Sequence, residues 1–280
     1  MPASSPPRFP LEPGEAALLL GWYVEMGADE AIAERAPDRL SPRPALSPRM
    51  GDPPRGAPAK AVSAPPLFAH SSSEAAQSAR RLAAEAQNTE ALALRIAAFD
   101  ACPLKRTATR TVFADGNQAA QVMIIGEAPG AEEDRLGRPF VGRAGQLLDR
   151  MLGAIGLDRK AVLITNIVYW RPPGNRTPSA AEIASCLPFV LRHIALVKPR
   201  ALLLCGATAV GALIPEGGGI TRLRGRWFQL EIPGLDEPVP TLPTFHPAFL
   251  LRSPEKKRDA WRDLLSLKAR LDAQRRDGEG

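Results

Sequence analysis

Three short apolar runs in this sequence each end on a side chain able to bind or activate a small molecule. Val122-Met123-Ile124-Ile125 leads into Gly126-Glu127-Ala128-Pro129-Gly130, Val162-Leu163-Ile164-Thr165 leads into Asn166, and residues 240–245 lead into His246-Pro247. The three groups are a carboxylate, a carboxamide and an imidazole, a set that can accept, donate and transfer protons. Taken singly, each has an ordinary structural explanation. A Gly-Pro loop after a strand is a turn, an Asn at a strand end caps a helix, and a lone His is a satisfied surface or core residue. They gain meaning together if the runs are strands of one parallel sheet, because ligands bind outside the carboxyl ends of such strands.

The segments around them support that arrangement. Continuous apolar runs without alternation are the pattern of strands buried on both faces, and Ala201-Leu202-Leu203-Leu204-Cys205-Gly206 is one more. Helical stretches at 142–155 and 179–197 separate the runs, giving β-α-β units. Ser71-Ser72-Ser73-Glu74 opens an Ala/Glu/Arg/Leu-rich stretch read as one helix to about Phe99. A last helix is expected over 254–274, with Trp261, Leu264, Leu265, Leu267 and Leu271 forming its inward stripe. The expected fold is α/β: a three-layer α/β/α domain over 71–275 with a central, mostly parallel four-stranded sheet, preceded by a flexible N-terminal extension.

That extension, residues 1–70, holds roughly half of the 29 prolines, with Gly, Ser, Ala and Arg filling most of the rest. One short amphipathic helix is expected near 14–34, a possible docking element for a protein partner. The net charge of +6 suits a polyanion without proving one. Three cysteines without short spacing, Cys102, Cys186 and Cys205, argue against a disulfide framework. No run approaches the roughly 20 apolar residues of a membrane span, so no membrane association and a cytoplasmic location are expected.

The segment Gly126-Glu127-Ala128-Pro129-Gly130 continues into Glu132-Glu133-Asp134-Arg135-Leu136-Gly137-Arg138-Pro139-Phe140-Val141-Gly142-Arg143-Ala144-Gly145. It is followed by Thr165-Asn166-Ile167-Val168, Arg171-Pro172-Pro173-Gly174-Asn175-Arg176 and His246-Pro247-Ala248-Phe249-Leu250-Leu251-Arg252. In that order these motifs resemble the type-4 uracil-DNA glycosylases, from about Phe99 to Trp261. The resemblance implies a DNA-repair hydrolase that cleaves the N-glycosidic bond of uracil in DNA and leaves an abasic site, working as a monomer.

It also implies roles. His246 stabilises charge at uracil O2, and Glu127 or Glu133 lies near the sugar to place a water. Gly126, Phe140 and Asn166 form the uracil pocket. The Asn166 amide can match N3–H and O4 of uracil but not the donor pattern of cytosine. Gly142, Arg143 and Gly145 open a helix that receives a DNA phosphate. Leu250, Leu251 and Arg252 resemble the loop that enters the minor groove. Arg171, Arg176, Arg222, Arg224 and Arg226 are further phosphate candidates. More distant relatives carry an aspartate at the place of Ala128 and a tyrosine at Gly130, so neither that base nor that steric gate is available here.

One departure concerns the cofactor. Most type-4 enzymes hold a [4Fe–4S] cluster with four cysteines. Here Cys102 and Cys186 stand at two of those positions, while Phe99 and Trp170 replace the other two. No metal and no cluster are therefore expected. A different class of function, a DNA-binding protein of this fold that senses lesions without turnover, is opposed by the intact pocket set. Covalent trapping of the product, as in one sister group, is opposed by the lack of that group's basic insertion.

Overall fold

The computed structural model describes residues 72–214 and 218–278, with side chains described over 74–214 and 218–274. The helix expected near 14–34 and the rest of the extension to residue 70 lie outside the described residues.

The chain from Ser72 builds the expected three layers. Four strands run parallel in the order β3-β2-β4-β6: β2 (Val122–Gly126), β3 (Val162–Asn166), β4 (Ala201–Cys205) and β6 (Val239–Thr244). Two further strands close the edges antiparallel, β1 (Ala114–Gly116) on β3 and β5 (Phe228–Leu230) on β6. The sheet is thus six-stranded and mixed, rather than four-stranded. Each edge strand has only three residues, too few for a period-2 pattern to emerge.

Side chains alternate across the sheet as the pleat requires. Met123, Ile125, Leu163, Leu202 and Leu204 share one core cluster with α1 (Ser72–Ala84), α2 (Thr89–Ala98) and α5 (Ala180–Val197). Val122, Ile124, Val162, Leu203 and Leu242 share the other with α4 (Arg143–Ala154) and α9 (Lys257–Gly278). Short helices α3 (Ala131–Leu136), α6 (Ala207–Leu213), α7 (Ile220–Leu223) and α8 (Pro247–Arg252) follow or join strand ends.

The stretch read as one helix from Ser71 to Phe99 is two. Asn88 caps α2 by accepting from the Ala91 N–H at 2.8 Å, and the Arg192 guanidinium takes the Ala86 carbonyl at 2.7 and 3.0 Å. Both interactions are made by the break itself, and an Ala/Glu-rich composition hides it. Helix α5 begins with a capping box in which Ser179 and Glu182 exchange hydrogen bonds. Its composition is apolar enough for a membrane span, but Cys186, Phe189, Val190 and Ile194 are fully buried against the sheet, so it is a core helix here.

Between β2 and β4 the connections reverse direction, β2 to β3 on one side and β4 to β6 on the other. Such a switch point opens a crevice at the carboxyl ends.

Candidate active site

The last residue of β2, Gly126, lies directly opposite Asn166, the last of β3. A Cβ at Gly126 would sit 2.5 Å from both Asn166 Oδ1 and Phe140 Cζ. Only glycine lets the two side chains converge there. Asn166 is 1% exposed, and its Oδ1 is buried with no hydrogen-bond partner. Buried acceptors are nearly always paired, so this orphan at a strand end is open to a ligand's donor.

Phe140 is buried with φ at +53°, in the left-handed region, a conformation that costs a bulky residue about 1–3 kcal/mol and persists only where neighbours enforce it. The enforcement is visible on both sides. Arg159 Nη2 donates to the Phe140 carbonyl at 2.5 Å and Nη1 to the Pro139 carbonyl at 3.1 Å. Gly145 of α4 packs so closely that a Cβ would lie 1.7 Å from the Phe140 oxygen. On the following side, Glu133 Oε1 accepts from the Val141 and Gly142 N–H groups, both at 2.9 Å.

His246 caps α8, its Nδ1 accepting the Ala248 N–H at 3.1 Å. That bond places the ring proton on Nε2. Burial drives the imidazole's pKa down to about 4, Arg252 pushes the same way and Glu133 opposes, so the ring is a neutral donor at physiological pH. Its ring lies 5.4 Å from that of Phe140 at 29°. Gly206, at φ +95°, lets the end of β4 approach, since a Cβ there would be 2.9 Å from His246 Cβ.

The two candidate carboxylates separate in space. Glu127 is half-buried and accepts a hydrogen bond at Oε2 from the Thr208 hydroxyl on α6. Glu133 spends Oε2 on the Gly130 N–H at 3.1 Å and Oε1 on the pair after Phe140. It is a staple joining two loops. A cavity of about 180 Å³ lies among Glu127, Ala128, Gly130, Glu133, Phe140 and His246. Asn166 does not line this cavity; its Oδ1 lies against Gly126, next to the Phe140 ring. A side chain at position 130 would meet Glu133 Oε2 at 2.7 Å, so the loop staple occupies the space beside Gly130.

The residues expected to meet DNA divide. Gly142 has its N–H taken by Glu133 and Gly145 is buried against Phe140, so these two build the pocket instead of presenting an anion site. Arg143 is exposed at the start of α4. Leu250 is 1% exposed and packs with Leu147, Phe245 and Ala260; it is core, which leaves the half-buried Leu251 and exposed Arg252 as the projecting part of that segment. Arg224 forms a buried ion pair with Asp263, and Arg176 a bidentate one with Glu182 at 2.7 and 2.9 Å. Arg171 binds Asn175 Oδ1 at 2.7 Å, while Arg222 and Arg226 are exposed. Two site residues escaped the sequence reading: Thr208, which follows the end of β4 just as the other site residues follow theirs, and Arg159, for which no pattern in the sequence gives a sign.

A model of the uracil DNA glycosylase superfamily matches residues 113–265. The chain belongs to that superfamily. It is 41% identical over 169 residues to the type-4 uracil-DNA glycosylase of Pyrobaculum aerophilum, covering 59% of this chain and 85% of that one. With the type-4 uracil-DNA glycosylase of Thermotoga maritima it shares 39% over 168 residues, 59% and 83% of the two chains. With that of Saccharolobus solfataricus it shares 35% over 191 residues, 66% and 88%.

Within this superfamily, the type-4 resemblance raises the question of the cluster, and the side chains at its four positions do not fit one. Phe99 and Trp170 are buried with ring centroids 6.4 Å apart at 27°, and Phe189 meets Phe99 edge-on at 5.1 Å. The Trp170 indole N–H is spent on Thr111 Oγ1 at 3.0 Å. Cys102 and Cys186 are fully buried beside this stack. Cys205 is a core thiol of β4, pushed up to about 12 by burial. Among the described residues no three of His, Cys, Asp or Glu are grouped to hold a metal.

Proposed function

We propose that this protein hydrolyses the N-glycosidic bond of uracil in DNA, leaving an abasic site. The observation that carries the reading is the unpartnered, buried Oδ1 of Asn166 on one side of Phe140 and a neutral imidazole, its Nδ1 taken by Ala248, stacked near the same ring.

A base reaches the site only by leaving the stack, at a cost of a few kcal/mol. Once it enters, Asn166 Oδ1 accepts uracil N3–H while the amide NH₂ donates to O4, and Phe140 offers a flat face for stacking. Cytosine presents an acceptor at N3 and a donor at C4, which leaves both amide groups unmatched in this orientation of the side chain. Breaking the bond to C1′ gives a cationic sugar and a uracil anion. His246 Nε2–H donates to O2 as the charge develops, without needing to lose a proton. Glu127, oriented by Thr208, uses its other oxygen to hold the water that adds to C1′ and to accept the proton that water loses; the uracil anion takes up a proton as it leaves. Glu133 acts by keeping Phe140 and Gly130 in place. Arg143, Leu251 and Arg252 are the residues proposed to meet the DNA, the first two on phosphate and groove respectively.

The test is a labelled strand with one uracil, treated with protein and then alkali. Breakage at the uracil, with the matching cytosine strand intact, is expected. No break at any protein concentration would leave a DNA-binding protein without turnover.

The protein is further proposed to work without a cluster, its place taken by the Phe99, Trp170 and Phe189 rings, which supply packing where thiolates would supply ligands. Anaerobically purified protein is expected to hold less than one iron per chain; about four irons with four sulfides and a brown absorbance would overturn this. Three unpaired cysteines suit a reducing compartment, and the cytoplasm is proposed.

A further inference from the structure

Phe140 carries a conformation its own chemistry disfavours, and something outside its loop must impose it. Arg159, in the turn before β3, is placed to do this. Its guanidinium is the only cation among the described residues that bonds the Pro139 and Phe140 carbonyls, at 3.1 and 2.5 Å. The same group is anchored on its other edges, Nη1 to Asp115 Oδ2 at 2.6 Å and Nε to Asp149 Oδ1 at 3.1 Å. Asp115 is itself held by Arg138 at 3.0 and 3.2 Å, from the turn that precedes Pro139. β1 contributes Asp115, and β1 is paired in register with β3. A rigid edge of the sheet is thereby connected, through one fork, to the backbone of the residue that faces the base.

We infer that Arg159 is a positioning residue for catalysis, fixing the left-handed backbone of Phe140 so that its ring presents a stacking face to the extruded base; this rests on the uracil-releasing activity proposed above. The guanidinium suits the task because its planar fork meets two carbonyls and two carboxylates at once, which a single ammonium cannot reproduce. The strain does not relax by itself in the intact protein, since Gly145 blocks the carbonyl from one side and Glu133 holds the next two N–H groups. With Arg159 gone, the Pro139 and Phe140 carbonyls lose their side-chain donors, and the left-handed backbone is held only by the Gly145 and Glu133 contacts, which restrain it less tightly.

A double-mutant cycle with Phe140 separates positioning from general support of the fold. Arg159→Gln is expected to lower the single-turnover rate of uracil release at saturating protein by about tenfold, while affinity for the uracil strand, read by fluorescence anisotropy, stays within twofold of wild type. In a Phe140→Ala background the same substitution is expected to change the rate by less than twofold, because the ring it positions is absent. A tenfold loss that persists undiminished in that background, or an Arg159→Gln rate equal to wild type, overturns the inference. If the Gln variant does not fold, Arg159→Lys retains a cation beside Asp115 and serves the same cycle under the same two criteria. Absence of uracil release by the wild-type protein would count against the proposed function; release by the wild type with additive penalties counts against Arg159 alone.

Discussion

His246→Ala lowers the single-turnover rate of uracil release by about 10²–10³-fold, the loss that follows removal of one preorganised donor to a developing anion. The magnitude comes from the site's geometry. The Nε2–H is fixed by the Nδ1 bond to Ala248 on a half-buried ring at the cavity wall, where a dipole acts at a dielectric below that of water. A residual rate within about threefold of wild type would mean that charge on O2 is stabilised elsewhere. The pH dependence carries the same message. With the ring's pKa near 4, the wild-type rate is expected to be flat from about pH 5 to 8, since the neutral donor is present throughout; a rate that declines steadily over that range as pH rises would point to an imidazolium. The consequence for stability has a definite sign. The folded ring resists protonation that the unfolded chain, with a value near 6.5, accepts readily. Stability is therefore complete above about 6.5 and lost as pH falls toward 4. His193, buried with both ring nitrogens unpartnered and pushed down to about 3, adds a loss of the same sign. His246→Ala is expected to lessen this acid sensitivity while destroying activity.

Asp263→Ala is expected to destabilise the domain by about 3 kcal/mol, because it strands a largely buried guanidinium and the Thr244 hydroxyl. Asp263 is 1% exposed on α9, where it receives the Arg224 fork and the Thr244 hydroxyl at 2.8 Å. Arg224 also donates to the Asp259 carbonyl at 2.5 Å and lies 5.5 Å over the Phe245 ring. Burial holds the Asp263 carboxyl above its ordinary range despite these partners, so the pair is not itself a source of net stability. The asymmetry is the point: removing one partner is costly, whereas Arg224→Met with Asp263→Leu should recover most of the loss. Thermal unfolding followed by circular dichroism should show the single variant melting roughly 10 °C lower. A shift under about 2 °C would show that water reaches Arg224. Thr244 is the last residue of β6, two before His246, so the same lock ties α9 to the strand that leads into the imidazole.

The parts of this fold legible in the sequence are those that repeat a pattern long enough to count. β2, β3 and β4 are continuous apolar runs because both of their faces are buried, and the residues after their ends carried the site. β1 and β5 had no such length, and Asn88 broke a stretch whose composition favours helix throughout. Leu250 and Leu251 look equivalent in sequence; only the direction of α8 decides that the first packs on Leu147 and Phe245. Glu127 and Glu133 are chemically identical, and what distinguishes them is who else is within reach. Glu133 three residues after Gly130 is capping-box spacing, a local sign of its structural part. Thr208 and Arg159 act across 81 and about 20 residues of chain, separations over which one sequence alone holds no record of contact.

Gly126, Asn166 and His246 stand on strand ends, and Phe140 is braced from three directions. Such a receptacle has little left to rearrange when a base arrives. For an enzyme built this way, the work of admission falls on the nucleic acid, which must open before any discrimination by the amide begins. Wobble pairs, frayed ends and unpaired strands give up a base with less effort than a well-stacked Watson–Crick pair. Under the proposed activity, such weakly held places are expected to admit a base first.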